Sequence, residues 1–426
     1  MSKETLPGQT SATPEVTTEH ERAMVILGAG LAGATAAATL REEGYTGAVI
    51  LVGAEAQIPY LRPPLSKGYL AGKDSEESLW PYLPAWYEQN QVEVVTDDDA
   101  TVFNPVAHTV SLRSGRTLHY HRLLLATGAR PRRLRFPGSD LPGVHTFRTK
   151  DDSQRLRGEL ASGERRLVIL GSGWIGMEIA ATATELGHQV TVISHSEVPL
   201  SAAIGPELGA FFTDRQREAG VQFLMPSGIA SITDDAGSQL SVHTTTGESL
   251  PADLVVIAVG VLPNTELAQA AGLETDHGIL VDARLRTSTP DVFAAGDVAN
   301  ALHPMVGAHL RSEHWANALA SGAVAARSML GRVAVLNDIP YFYTDQFDLG
   351  MEYSGFGTLT EGLTPVIRGS LELREFLAFW LREGRVVAGM NVNIWDVQEE
   401  IKDLILSKRV VEAARLADPQ IPLGEA

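Results

Sequence analysis

One segment of this chain occurs twice. Val25-Ile-Leu-Gly28-Ala-Gly30-Leu-Ala-Gly33 returns as Val168-Ile-Leu-Gly171-Ser-Gly173-Trp-Ile-Gly176. The likeness continues in register, with Ala37 against Ala180, Thr39 against Thr182, Glu42 against Glu185 and Gly44 against Gly187. Each copy is a short apolar run that breaks at a glycine and passes into an Ala-rich, helix-like segment. The first glycine permits a tight strand-to-helix turn, and the second lets the backbone approach a pyrophosphate. The third lets helix pack on strand, with the phosphates at the helix N-terminus. A single triplet is a weak signal. Two of them predict two bound dinucleotides, and dinucleotides side by side imply electrons passing between them, as between a nicotinamide and a flavin.

With 426 residues the chain is too long for one ordinary core and predicts two or three domains. A net charge of −18 argues against nucleic acid and anionic membrane surfaces as partners. There is no cysteine, which excludes disulfides, thiolate-bound metal or iron–sulfur centres and a redox-active disulfide. No metal site is expected. Residues 1–22 are polar without an apolar core, so they read as a disordered tail rather than a signal peptide, and the protein as cytoplasmic. The uncharged run from Met24 to Leu40 contains the first glycine triplet and reads as a phosphate loop, not a membrane span.

Strand–helix–strand units are predicted over 23–53 and 166–194. Further apolar strands end in glycine at Gly128, Gly260 and Gly296, which suits a buried parallel sheet whose carboxyl ends face a ligand. The expected fold is α/β: two Rossmann-like, glutathione-reductase-like dinucleotide domains with a C-terminal α+β domain. The expected division is 23–133 with 257–335 for the first dinucleotide, 134–256 nested inside for the second, and 336–426 for the last domain.

Glu55 lies about 20 residues past Gly33, where a carboxylate accepts the ribose hydroxyls of an adenine dinucleotide. The corresponding place after Gly176 holds Ser194-His195-Ser196, with neither the acid of a strict NAD site nor the arginines of a strict NADP site. Pro59-Tyr-Leu-Arg62-Pro-Pro-Leu-Ser-Lys67 is a proline-set segment, and its Arg62 and Lys67 are cations suited to a polyanionic cofactor. Arg130-Pro-Arg132-Arg133-Leu-Arg135 is the densest positive cluster of the chain.

The 59–67 segment, Ala126-Thr-Gly128 with Arg132, and Phe293-Ala-Ala-Gly-Asp297 resemble the FAD-dependent ferredoxin reductases. So do Ala258-Val-Gly-Val-Leu-Pro-Asn264, Glu313-His-Trp315 and Pro340-Tyr-Phe-Tyr-Thr-Asp345. That family includes putidaredoxin reductase, rubredoxin reductase and the reductases of ring-hydroxylating dioxygenases, and apoptosis-inducing factor is similar to it. The likeness runs over about residues 22–420. It implies that Lys67 contacts the isoalloxazine and pairs with Glu178, these two being the catalytic pair. It implies FAD contacts from Leu31, Ala32, Arg62, Ala100, Ala126, Thr127, Gly128, Arg132, Gly296 and Asp297, with His314 and Trp315 beside the flavin. Trp174 and Ile175 belong with the second loop, and Gly260 and Glu313 border the nicotinamide. Two departures stand out: Tyr343 where most relatives carry Trp, and Ser194 where NADH-specific relatives carry an acid.

The resemblance implies a reductase that takes hydride from NAD(P)H, NADH slightly favoured, onto FAD. It then releases single electrons to a small [2Fe-2S] ferredoxin that feeds an oxygenase. Docking is expected near Arg130–Arg135, with Arg311 also close to the flavin, on a monomer or homodimer. The alternatives are reduction of rubredoxin, a quinone or dioxygen on the same fold, or an NADH-sensing flavoprotein of the apoptosis-inducing-factor type.

Overall fold

The computed structural model describes residues 23–234 and 239–426, so the tail expected over 1–22 lies outside the described residues. Among the described residues no helix is long and apolar enough to cross a membrane.

The duplication extends well past the glycine loops. In the first unit five parallel strands lie in the order Val92–Val95, Val49–Val52, Met24–Leu27, Arg122–Leu125 and Val292–Ala294. The second unit repeats the arrangement with Gln222–Leu224, Gln189–Ile193, Arg166–Leu170, Leu254–Ile257 and Val144–Thr146. Between the first and the fourth strand of this order each unit inserts a three-stranded antiparallel meander, over 100–119 in the first and 229–252 in the second. The central strands are apolar because both faces are covered. In the second unit the helix after the glycine loop packs on one face through Ile179, Ala180 and Ala183, and the meander packs on the other through Ile229, Ile232, Leu240 and Val242. Met24–Leu27, Val49–Val52 and Leu254–Ile257 are buried at every position. Each fully buried Val, Ile or Leu contributes roughly 1.5–3 kcal/mol, which selects the parallel, two-sided solution.

In both sheets the strand carrying the glycine loop stands where the strand order reverses, so the loop opens into the crevice at that switch point. Helix Leu31–Glu42 follows the first loop and helix Trp174–Glu185 the second.

The chain leaves the first unit through Ala129–Pro131 and returns through Val261–Pro263, and these two crossings pair antiparallel. Asn264 fastens them: its amide Nδ2 donates to the Thr127 carbonyl at 2.8 Å and its backbone N–H to the Gly128 carbonyl at 3.0 Å. Beyond residue 340 five antiparallel strands follow in the order Tyr341–Gln346, Leu349–Gly355, Arg385–Val392, Glu375–Arg382 and Val366–Ser370. Helix Gln398–Ser407 covers the sheet with Ile401, Leu404 and Ile405 buried.

Candidate active site where three units meet

The two glycine loops have nearly the same geometry. Gly28 has φ +117° and Gly171 φ +116°, and a Cβ there would sit 2.0 Å from the Ala126 carbonyl oxygen or 2.2 Å from that of Ala258. Only glycine fits such a turn. Gly33 and Gly176 press their Cα atoms against the carbonyls of Gly28 and Gly171, with ideal-Cβ distances of 2.1 and 2.2 Å. Gly30 and Gly173 differ from both, since no atom of the protein lies within 4 Å of where their Cβ would be. Each is the extended N-cap of its helix, so the space beside it lies at the positive end of a helix dipole.

A cavity of about 440 Å³ runs past the first loop. Its wall includes Gly28, Gly30, Leu31 and Ala32 of the loop, Glu55, the 126–128 turn and the Gly296–Asp297 corner. Trp174, Ile175 and Glu178 enter it from the second unit, and Phe342 and Tyr343 from the C-terminal sheet. Lys67, Glu313, His314 and Trp315 complete the inner end.

Each charged group here is tied to a partner. Glu55 accepts from Arg62 at 2.8 Å on one oxygen and from the Tyr60 hydroxyl at 2.5 Å on the other. Arg62 also donates to the Arg148 carbonyl at 2.7 Å. The Arg148 guanidinium pairs with Asp297, while its Nε is buried without a partner. An extended cavity with open space at Gly30, a carboxylate at one strand end and an unsatisfied arginine nitrogen fits an adenine dinucleotide of FAD size.

At the inner end Lys67 Nζ lies 2.8 Å from Glu178 Oε1, with the two side chains only 15 % and 5 % exposed. Pairing is obligatory at that depth, because leaving one member uncompensated costs about 3–5 kcal/mol. Glu178 also accepts from Ser66 Oγ at 2.5 Å and from Thr344 Oγ1 at 2.7 Å. The Lys67 ammonium lies 5.6 Å from the centre of the Tyr343 ring. His314 stacks on Phe342 with ring centres 4.4 Å apart, and burial pushes its pKa down to about 4 although Asp297 pulls the other way.

Several residues carried over from the resemblance fall elsewhere. Ala100 begins an antiparallel strand of the meander, paired with Leu112, and is not part of the cavity wall. Arg132 is exposed and off the wall, because the strand that brings Arg130 to the cavity ends at Pro131. Arg132 meets Gly260 only through its backbone N–H, at 2.9 Å from the carbonyl. Arg130 lines the cavity instead, paired with Glu266 at 2.5 Å. Gly33 packs behind the loop rather than on the wall.

Gly171, Gly173, Gly176, Ser194, His195 and Gly260 lie at the second loop's end of its own sheet, outside the cavity wall. Ser194 is buried and accepts from Ser172 Oγ at 2.9 Å, and the exposed His195 lays its ring against Gly228. Sequence reasoning missed Arg148, Phe342, Ser66 and Thr344. The signals were faint: Arg148 precedes the helix-capping Thr149, and Ser66 sits inside the proline motif unremarked.

Residues 22–322 match the pyridine nucleotide-disulphide oxidoreductase family, and residues 341–426 match the reductase C-terminal family. The ferredoxin–NAD(+) reductase component of the anthranilate 1,2-dioxygenase system of Burkholderia cepacia is 38% identical over 398 residues, covering 93% of this chain and 95% of that one. Putidaredoxin reductase of Pseudomonas putida is 36% identical over 408 residues, 94% and 96% of the two chains. The chain belongs to the FAD-dependent ferredoxin reductases. Among solved members, the ferredoxin reductase for the CYP199A2 system of Rhodopseudomonas palustris superposes with a TM-score of 0.90 at 34% identity, covering 95% of this chain and all of that one. Putidaredoxin reductase in its covalent complex with putidaredoxin gives 0.89 at 35% identity, covering 95% and 97%. This family member has no cysteine and so cannot form the disulphide of the family's name.

Proposed function

We propose that the chain is a flavoprotein reductase that holds FAD at Gly28, Gly30 and Gly33 without a covalent link. In this reading it takes hydride from NAD(P)H at Gly171, Gly173 and Gly176 and delivers electrons to a small [2Fe-2S] ferredoxin serving an oxygenase. The observation that carries this is the shared wall. Trp174, Ile175 and Glu178, from the first turns of the second loop's helix, line the same cavity as the first loop.

Bound FAD supplies the conversion between a two-electron donor and a one-electron acceptor. The chain's residues do the rest. Glu55 orients the ribose, held by Arg62 and Tyr60. Arg148 and Asp297 hold the polar middle of the cofactor. Trp174, His314 and Phe342 shape an apolar inner end that excludes water. Lys67, fixed by Glu178, places a positive charge where negative charge develops on hydride arrival.

Purified protein should reduce cytochrome c with NADH only when a ferredoxin is added. Equal rates without ferredoxin, or a protein that holds no flavin, would overturn the reading. Ser194 neither repels nor rewards a 2′-phosphate, so kcat/KM for NADH should exceed that for NADPH by only about tenfold, or about 1.4 kcal/mol. A thousandfold preference for either donor would disprove that use of Ser194.

A further inference from the structure

The strand Tyr341–Gln346 presents its residues alternately to two environments. Tyr343 faces the cavity and is exposed, whereas Thr344 and Gln346 are 1% and 2% exposed on the other face. There the Thr344 hydroxyl donates to Glu178 Oε1 at 2.7 Å, on the same oxygen that pairs with Lys67 at 2.8 Å. Behind it the Gln346 amide Nε2 reaches Thr344 Oγ1 at 3.4 Å. Gln346 Oε1 accepts from the fully buried Gln216 at 2.9 Å, and Gln216 Nε2 also donates to the Met177 carbonyl at 2.9 Å. The chain of contacts therefore returns to the residue beside Glu178, so the C-terminal strand grips the nicotinamide-loop helix by side chain and backbone together.

We infer that Thr344 is a positioning residue for hydride transfer: its hydroxyl shares Glu178 Oε1 with Lys67 and so fixes where, and how fully neutralised, the Lys67 ammonium stands. The inference rests on the function proposed above. A carboxylate oxygen with two donors commits less of its charge to either one. With Thr344 in place, Lys67 keeps positive charge to offer to the cavity. Without it, the carboxylate draws the ammonium more closely, and that charge is spent inside the pair. Ser66, on the other carboxylate oxygen, secures the orientation but does not compete with Lys67.

Holoenzyme carrying Thr344→Val keeps the shape of the side chain and loses the hydroxyl. In stopped-flow mixing with NADH, reduction of its flavin should slow by about tenfold or more. Its flavin content and its affinity for NAD+ should stay within about twofold of the parent, which separates positioning from loss of binding. Its flavin midpoint potential should fall, and Thr344→Ser should restore both rate and potential. Thr344→Ala is read in the same way where the Val variant does not fold. A Val or Ala variant that is reduced as fast as the parent overturns the inference, as does a Ser variant as slow as they are. A parent enzyme whose flavin no nicotinamide reduces overturns the proposed function instead.

Discussion

Lys67 is largely buried and paired with Glu178, and that setting makes its role measurable. Lys67→Met keeps the stem and removes the cation. FAD should stay bound, because its other contacts come from distant segments, while its reduction by NADH slows by on the order of a hundredfold, the usual cost of one preorganised charge-stabilising group. Unchanged stopped-flow reduction would remove the catalytic role. His314 offers a second test at this scale. Its pKa falls from the ordinary 6.5 to about 4 because burial disfavours the imidazolium, against the weaker pull of Asp297. Between these values the unfolded chain holds a proton that the folded chain does not, so stability rises with pH across this window and is complete above it. Acidification from pH 6.5 toward 4 should therefore destabilise the parent by on the order of 2–3 kcal/mol through this residue alone. His314→Phe should flatten that part of the stability–pH curve. An unaltered slope would show that His314 is protonated as readily in the fold as outside it.

At the scale of the elements, the glycines of one loop separate folding from cofactor binding. Gly28→Ala puts a Cβ on the Ala126 carbonyl at a φ of +117°, so neither the turn nor the strand pairing beyond it survives. Gly30→Ala meets no atom within 4 Å and has an ordinary extended φ. It should fold with a Tm close to that of cofactor-free parent and yet retain little flavin, because the methyl fills the space left for pyrophosphate. Retention of full flavin by Gly30→Ala would contradict the assignment of that space.

The same contrast explains what was legible in the sequence. Glycine loops, apolar strands and their helices are local patterns, and their duplication announced the paired parallel sheets. Thr344, Ser66 and Arg148 act through partners 166, 112 and 149 residues away, and no spacing within the chain reveals such a contact. Arg132 lies off the cavity wall for a related reason. The motif around it is continuous, but the strand that brings Arg130 to the wall ends at Pro131.

Viewed as a whole molecule, a ferredoxin reductase of net charge −18 must bring its partner close to a buried site, and under the proposed reading that partner is an acidic ferredoxin. Local concentration of positive charge is the physical solution, since potentials at a surface patch govern encounter more than total charge does. Of the arginines in the 130–135 cluster, Arg130 is already paired with Glu266, while Arg132, Arg133 and Arg135 are exposed beyond the strand that reaches the cavity. Arg311 is held by Glu313 at 2.5 Å and adds little to the patch. The proposed docking surface is therefore narrower than the sequence implied, and it begins where Arg130 leaves the cavity wall. Exposed charges are screened beyond roughly 8 Å at physiological ionic strength, so ferredoxin-dependent turnover should fall with added salt while ferricyanide reduction changes less. Arg133→Glu with Arg135→Glu should lower the ferredoxin association rate by on the order of tenfold at low salt and leave flavin reduction by NADH intact. If the double variant turns over ferredoxin at the parental rate at low salt, this patch is not where the acceptor docks.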